Sequence, residues 1–310
     1  LDEIEQIHAI YSTARLGLAA AIACCAFTFL LGGGPIEMML AFIAAGIGNL
    51  IRTKLIKHHF TLFLNIAVSI SASCFIYAAL LKIAEMAFNV STIHEAGYIC
   101  SMLFIIPGFP FITSGIDLAK LDLRSGLERL AYAIIIVMVA TMFAWIMALL
   151  LQLKPMDFED LDLGPVLHLI LRLIMSFFGV FGFSIMFNSP ASMAATAALI
   201  GAIANSLRLE LVDLTGMPAP AAAFAGALTA GLLASFIKEN NGYPRISLTV
   251  PSIVIMVPGL YLYRAIYNFG IMALSDAVSW FASAIMIIIA LPLGLIFARI
   301  LTDKTFRYCT

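Results

Sequence analysis

The run "LFIIPGFPF" (Leu103–Phe111) sets a Pro-Gly pair inside an apolar stretch that otherwise suits a membrane-crossing helix. Proline removes a backbone donor and clashes with the preceding turn, and glycine lets the chain bend, so the run predicts a broken span. A second run, "SIVIMVPGLYLY" (Ser252–Tyr263), repeats the pair about 150 residues later. Opened backbone at membrane depth is tolerated where it is buried in protein or lines a cavity. Two breaks at matching places therefore predict a substrate site.

Composition fixes the class around these breaks. The chain is 63% hydrophobic and 11% charged, against roughly half and a quarter in a soluble domain, which makes it an integral membrane protein. A net charge of −1 without a basic tail excludes a nucleic-acid partner. The five cysteines, Cys24, Cys25, Cys74, Cys100 and Cys309, lie mostly in apolar runs without metal spacing and are expected as reduced thiols. His58, His59, His94 and His168 fall in loops or at span ends, which predicts solvated or interfacial side chains and no metal ligands.

Cutting the chain where charge or helix breakers accumulate gives ten spans, near 16–32, 35–51, 61–81, 96–119, 127–151, 166–187, 190–207, 218–237, 246–268 and 277–301. The runs lack the alternation of barrel strands, so the fold class is an all-α polytopic membrane protein. With the amino terminus cytoplasmic, twelve of the seventeen Lys and Arg fall on the inner side, among them Arg52, and both termini are expected there. Arg208 and Arg264 fall on the outer side, and the longest outer loop, "LKPMDFEDLDLG" from Leu153, is acidic.

The chain also repeats itself. "LLGGGPIEMMLAFIAAGIGNLIR" (Leu30–Arg52) aligns with "MFNSPASMAATAALIGAIANSLR" (Met186–Arg208), pairing Pro35 with Pro190 after a one-residue gap, Asn49 with Asn205 and Arg52 with Arg208. The Pro-Gly runs align at an offset of 151, Pro107 on Pro258 and Gly108 on Gly259. Five spans per half is an odd number, so the second half would enter from the opposite face, giving two inverted five-helix repeats with helices 4 and 9 broken. The expected segments are a remnant of a cytoplasmic amphipathic helix (1–15), a first repeat (16–153), an acidic outer linker (154–165), a second repeat (166–301) and a cytoplasmic tail (302–310).

Inverted repeats with broken helices at matching positions are the design of secondary transporters. The expected substrate-binding residues are Ser101, Pro107, Gly108, Thr113, Ser114 and Asp117 on the first broken span and Ser252, Pro258, Gly259, Tyr261 and Arg264 on the second. Asp117 is the candidate for proton coupling, because an ionisable group within a span is costly. Asn49 and Asn205 are candidates for gating, against a capping or interhelical role. Glu37, just after "GGGP", suits a helix amino terminus electrostatically.

The segment "IIPGFPFITSGIDLAKLDLRSGLERLAYA" (Ile105–Ala133) resembles the hallmark of the bacterial threonine/serine exporter family, a Pro-Gly followed by an Asp and a Gly-x-x-Arg, here Pro107, Gly108, Asp117 and Gly126 to Arg129. The segment "PSIVIMVPGLYLYRAIY" from Pro251 is similar to the family's smaller carboxy-terminal module. The resemblance implies ten spans in the plasma membrane and proton-driven export of a small polar solute, threonine and serine in the founding case and dicarboxylates in some relatives. It implies no cofactor, and leaves a homo-oligomer open. No nucleotide-binding loop and no mid-depth pairing of His with acid occur, so neither a primary pump nor an intramembrane enzyme is expected, while an uncoupled channel remains an alternative.

Overall fold

A computed structural model of the chain describes residues 10–88, 92–155, 157–158, 161–241 and 243–307. The expected amphipathic remnant lies outside the described residues over 1–9, as does Cys309. The protein is a polytopic helical membrane protein. Among the described residues eight helices are long and apolar enough to cross a membrane, and two bent pairs raise the number to ten if each is one span.

The first part of the chain forms α1 (Thr13–Leu30), α2 (Pro35–Lys57) and α3 (Leu62–Phe88), then the broken pair α4 (Gly97–Ser101) and α5 (Gly108–Ala119), then α6 (Leu123–Leu151). The second forms α7 (Pro165–Met186), α8 (Ala191–Thr215), α9 (Ala219–Asn241), the broken pair α10 (Arg245–Ile253) and α11 (Gly259–Gly270), and α12 (Leu274–Thr302), followed by the short α13 (Lys304–Arg307). Local chemistry sets the ends. Ser12 caps α1 by accepting from Arg15 N, prolines occupy the first turns of α2 and α7, and the Asp122 carboxylate accepts from Ser125 N to start α6.

The halves match in detail. Both α5 and α11 have 12 residues, and both α6 and α12 have 29. Leu121 and Met272, 151 residues apart, both adopt φ of 63° just before the long helices, a conformation uncommon for bulky residues. Packing is reciprocal as well. The α1·α2, α2·α3, α3·α6 and α5·α6 contacts have counterparts in α7·α8, α8·α9, α9·α12 and α11·α12. Between the halves, α1 lies on α7, α5 on α12 and α11 on α6. Small residues permit the close approach of α1 and α7, where a Cβ on Gly182 would sit 2.5 Å from the Ala19 carbonyl oxygen.

Several spans are longer than the sequence predicts, two of them past an arginine. The expected ends at Ile51 and Leu207 were set by the arginines that follow, but α2 runs on to Lys57 and α8 to Thr215. Arg52 and Arg208 are thus helical residues facing the protein, partly buried, not members of loops.

Candidate functional site at the two helix breaks

Each break has the same build. Pro107 (φ −81°, ψ 61°) and Pro258 (φ −80°, ψ 56°) occupy the centres of inverse γ-turns, closed by Gly108 N donating to Ile106 O and Gly259 N to Val257 O, both at 2.8 Å. A 3-10 segment precedes each turn, Leu103–Ile105 or Val254–Met256, and the broken pairs bend by 55° and 42°. The proline therefore ends one helix and the glycine begins another.

The glycines serve close approach. A Cβ on Gly108 would lie 2.6 Å from Val254 Cγ2 and 3.2 Å from Val257 Cγ2, and one on Gly259 2.9 Å from Leu103 Cδ2 and 3.3 Å from Ile106 Cγ1. Leu103 and Ile106 stand to Gly108 as Val254 and Val257 stand to Gly259, so each break packs on the other in the same way. Beside them Tyr98 on α4 and Tyr263 on α11, both fully buried, share a hydroxyl–hydroxyl bond of 2.5 Å.

The contact between the breaks is apolar, and the neighbouring hydroxyls bond locally. Ser101 donates to Tyr98 O, Thr113 to Phe109 O and Ser252 to Thr249 O, each within one turn of its own helix. Ser114 donates to Gly126 O at 2.8 Å and so ties α5 to α6. Asp117 joins the same clamp through an ion pair with Arg129 at 2.7 Å. A Cβ on Gly126 would lie 2.7 Å from Leu118, so the Asp and Gly-x-x-Arg of the motif together hold α6 against α5.

Polar groups gather in two further cavities. One, of about 520 Å³, is lined by Leu16, Asn49, Arg52, Thr53 and Lys57, with Met186 contributed by the other half. The second, of about 420 Å³, is lined by Arg172, Leu209, Asp213, Arg264, Asp157 and Phe158, with Leu30 contributed by the first half. Leu16, Thr53, Lys57 and Leu30 lie 156 residues before Arg172, Leu209, Asp213 and Met186, so the two cavities occupy corresponding places. A smaller cavity of about 110 Å³ shares Leu31, Leu209 and Leu260 with the second and reaches Pro258, Gly259, Tyr261 and Arg208.

Of the residues singled out by sequence, Asn49 lines the first cavity, with its amide donating to Leu16 O, whereas Asn205 donates to Ser176 Oγ inside the helix packing. Arg264 pairs with Asp157 at 2.8 Å and lies over the Trp280 ring, fastening the loop before α7 to the second break. Arg172 holds Glu210 and Asp213 nearby.

Sequence reasoning missed two features. Arg52 Nη1 donates to Phe104 O and Arg208 Nη1 to Met256 O, both at 3.4 Å, so each arginine reaches the 3-10 segment of a break. Glu37 is buried in the first turn of α2, with Oε1 2.7 Å from His94 Nδ1 and Oε2 without a protein partner among the described residues. His94, expected to be solvated or interfacial, is partly buried, its carbonyl accepting from Tyr77 OH at 2.7 Å. The repeat pairs the two arginines in sequence, but ending the spans before them left them outside the site.

Comparison with known families gives two matches, one to each part of the chain. Residues 1–152 match the family described as "Putative threonine/serine exporter", and residues 172–301 match that described as "Threonine/Serine exporter, ThrE". The chain belongs to the threonine/serine exporter family. It is a multi-pass membrane protein of a transporter family, and the motif around Pro107 and Asp117 falls within the first match. Among curated proteins, the chain is similar to the "Probable succinate transporter subunit YjjP" of Escherichia coli, at 30% identity over 134 residues, 43% of this chain and 50% of that protein. The matched stretch thus spans about half the length of that relative. No solved structure matches the chain.

Proposed function

We propose that the protein is a secondary active transporter of the plasma membrane, with both termini cytoplasmic, that exports a small polar solute, threonine or serine, by alternating access coupled to the proton gradient. The reciprocal packing of the two Pro-Gly breaks, together with the corresponding cavities, carries the reading. The two five-helix halves act as inverted repeats about an axis in the membrane plane, so that one cavity opens to each side and the breaks form the barrier between them. Separation of the breaks on one side and closure on the other would pass the solute across.

Two carboxylates are placed to carry the coupling proton. Asp117 lies nine residues beyond Gly108 and is held by Arg129. Glu37 is more deeply buried, beside His94 at the entry to the first broken span. A dicarboxylate is the second substrate reading, favoured by the name of the Escherichia coli relative.

Counterflow into proteoliposomes loaded with threonine, serine or succinate tests the reading. The expected result is saturable exchange for threonine and serine, accelerated by a pH gradient. Asp117→Asn or Glu37→Gln, whichever removes the proton site, should lose the acceleration by the gradient while retaining exchange. Exchange of succinate alone selects the second reading, and flux with neither saturation nor exchange would mark a channel and contradict both.

A further inference from the structure

Arg52 and Arg208 occupy an arrangement that packing alone does not explain. Each is partly buried in a membrane-spanning helix, each points one N–H at a carbonyl of a broken span, and each lines a cavity, that of Arg208 reaching Pro258 and Gly259. Neither has a carboxylate within ion-pair distance among the described residues, although Arg129, Arg172, Arg264 and Arg299 all do. A guanidinium presents five donors, and one contact of 3.4 Å uses a single donor at the long end of hydrogen-bond geometry. A cation withdrawn from water without a counter-ion is costly, and such groups inside membrane segments mark ligand pathways. The same arrangement at aligned positions of both halves makes a chance placement a poor account.

We propose that Arg52 and Arg208 are the two stations at which the transported solute's carboxylate is bound, Arg52 in the first cavity and Arg208 in the smaller cavity at the second break. The inference rests on the transporter reading and deepens it by naming the recognised group. A planar guanidinium matches a carboxylate through paired N–H donors, and threonine, serine and succinate share that group. At the first station Asn49 and Thr53 also line the cavity, and Lys57 adds a second cation. At the second station Tyr261 and the Pro258-Gly259 backbone line the cavity, so a carboxylate held by Arg208 would lie against the break. Transport then passes a carboxylate from one arginine to the other as the breaks part, and each arginine releases its break carbonyl when it takes the solute.

Binding is measured on the purified full chain in lipid nanodiscs by the shift in thermal midpoint with L-threonine, succinate or L-threonine amide, which lacks the carboxylate. Threonine should stabilise the parent if the solute is an amino acid and succinate if it is a dicarboxylate, and the amide should do neither. Arg52→Gln and Arg208→Gln should unfold near the parent's midpoint without ligand, since the one bond each arginine makes to its break carbonyl is long, at 3.4 Å, and contributes little. Their affinity for the carboxylate should fall at least about tenfold. Arg→Lys at either position should recover part of that loss, which distinguishes a binding role from a structural one. Gln variants that bind like the parent, or an amide that binds as tightly as threonine, would overturn the assignment while counterflow by the parent upholds the transporter reading. A parent that neither binds nor exchanges these solutes would overturn both.

Discussion

Gly108→Leu is expected to abolish transport while leaving the protein folded, and Gly259→Leu to do the same. Each glycine lies against side-chain ends of the opposite break, 2.6 Å from Val254 Cγ2 for a Cβ at Gly108 and 2.9 Å from Leu103 Cδ2 for one at Gly259. Both contacts are with side chains; Leu103 can turn aside whereas Val254 is stiff, so within the ~1–3 kcal/mol of ordinary overpacking Gly108→Leu should cost more than Gly259→Leu. Transport should not survive, because the breaks must pack and part to close one cavity and open the other. Thermal unfolding and counterflow on each variant separate the two effects. A stable Leu variant that exchanges solute at the parent's rate would mean that these breaks are bends without a part in the pathway.

Gly182→Leu should instead prevent the fold from forming properly. A Cβ there would meet backbone, 2.5 Å from Ala19 O and 3.1 Å from Ala23 N, with Ala23 Cβ at 2.9 Å. Helix backbone cannot rotate aside as a side chain can, so α1 and α7 would have to separate along the contact that joins the halves. The expected loss is ~3 kcal/mol or more, read as a large drop in thermal midpoint and in recovered protein. An unchanged midpoint would contradict the close contact of α1 with α7.

Much of the fold was legible because it rests on local chemistry. Composition gave the class, and the Pro-Gly pairs marked both breaks because proline and glycine act on the backbone wherever they fall. The repeat aligned Pro107 with Pro258, and the contacts of Gly108 and Gly259 bring the two breaks together. The site was less legible, because the same residue types serve packing. Ser101, Thr113 and Ser252 looked like ligands for a polar solute, but a hydroxyl in a helix can satisfy itself on the preceding turn, as these do. Cutting spans at charges hid Arg52 and Arg208, since a helix does not stop where a guanidinium begins and its stem packs like an apolar chain. Glu37 and His94 are 57 positions apart and meet only because α4 packs on α2. Asp117 and Arg129 meet across the left-handed turn at Leu121, which no residue type announced.

The central claim is that the corresponding cavities open to opposite faces of the membrane, and side-specific labelling tests it most directly. Thr53 and Leu209 line the first and second cavities at positions 156 apart. With the native cysteines replaced, Thr53→Cys and Leu209→Cys would each be exposed to a membrane-impermeant maleimide added to one side of sealed vesicles of known orientation. The account predicts labelling of Cys at position 53 from the cytoplasmic side only and of Cys at position 209 from the outer side only, with solute altering the two rates in opposite directions. Labelling of both positions from the same side would contradict it.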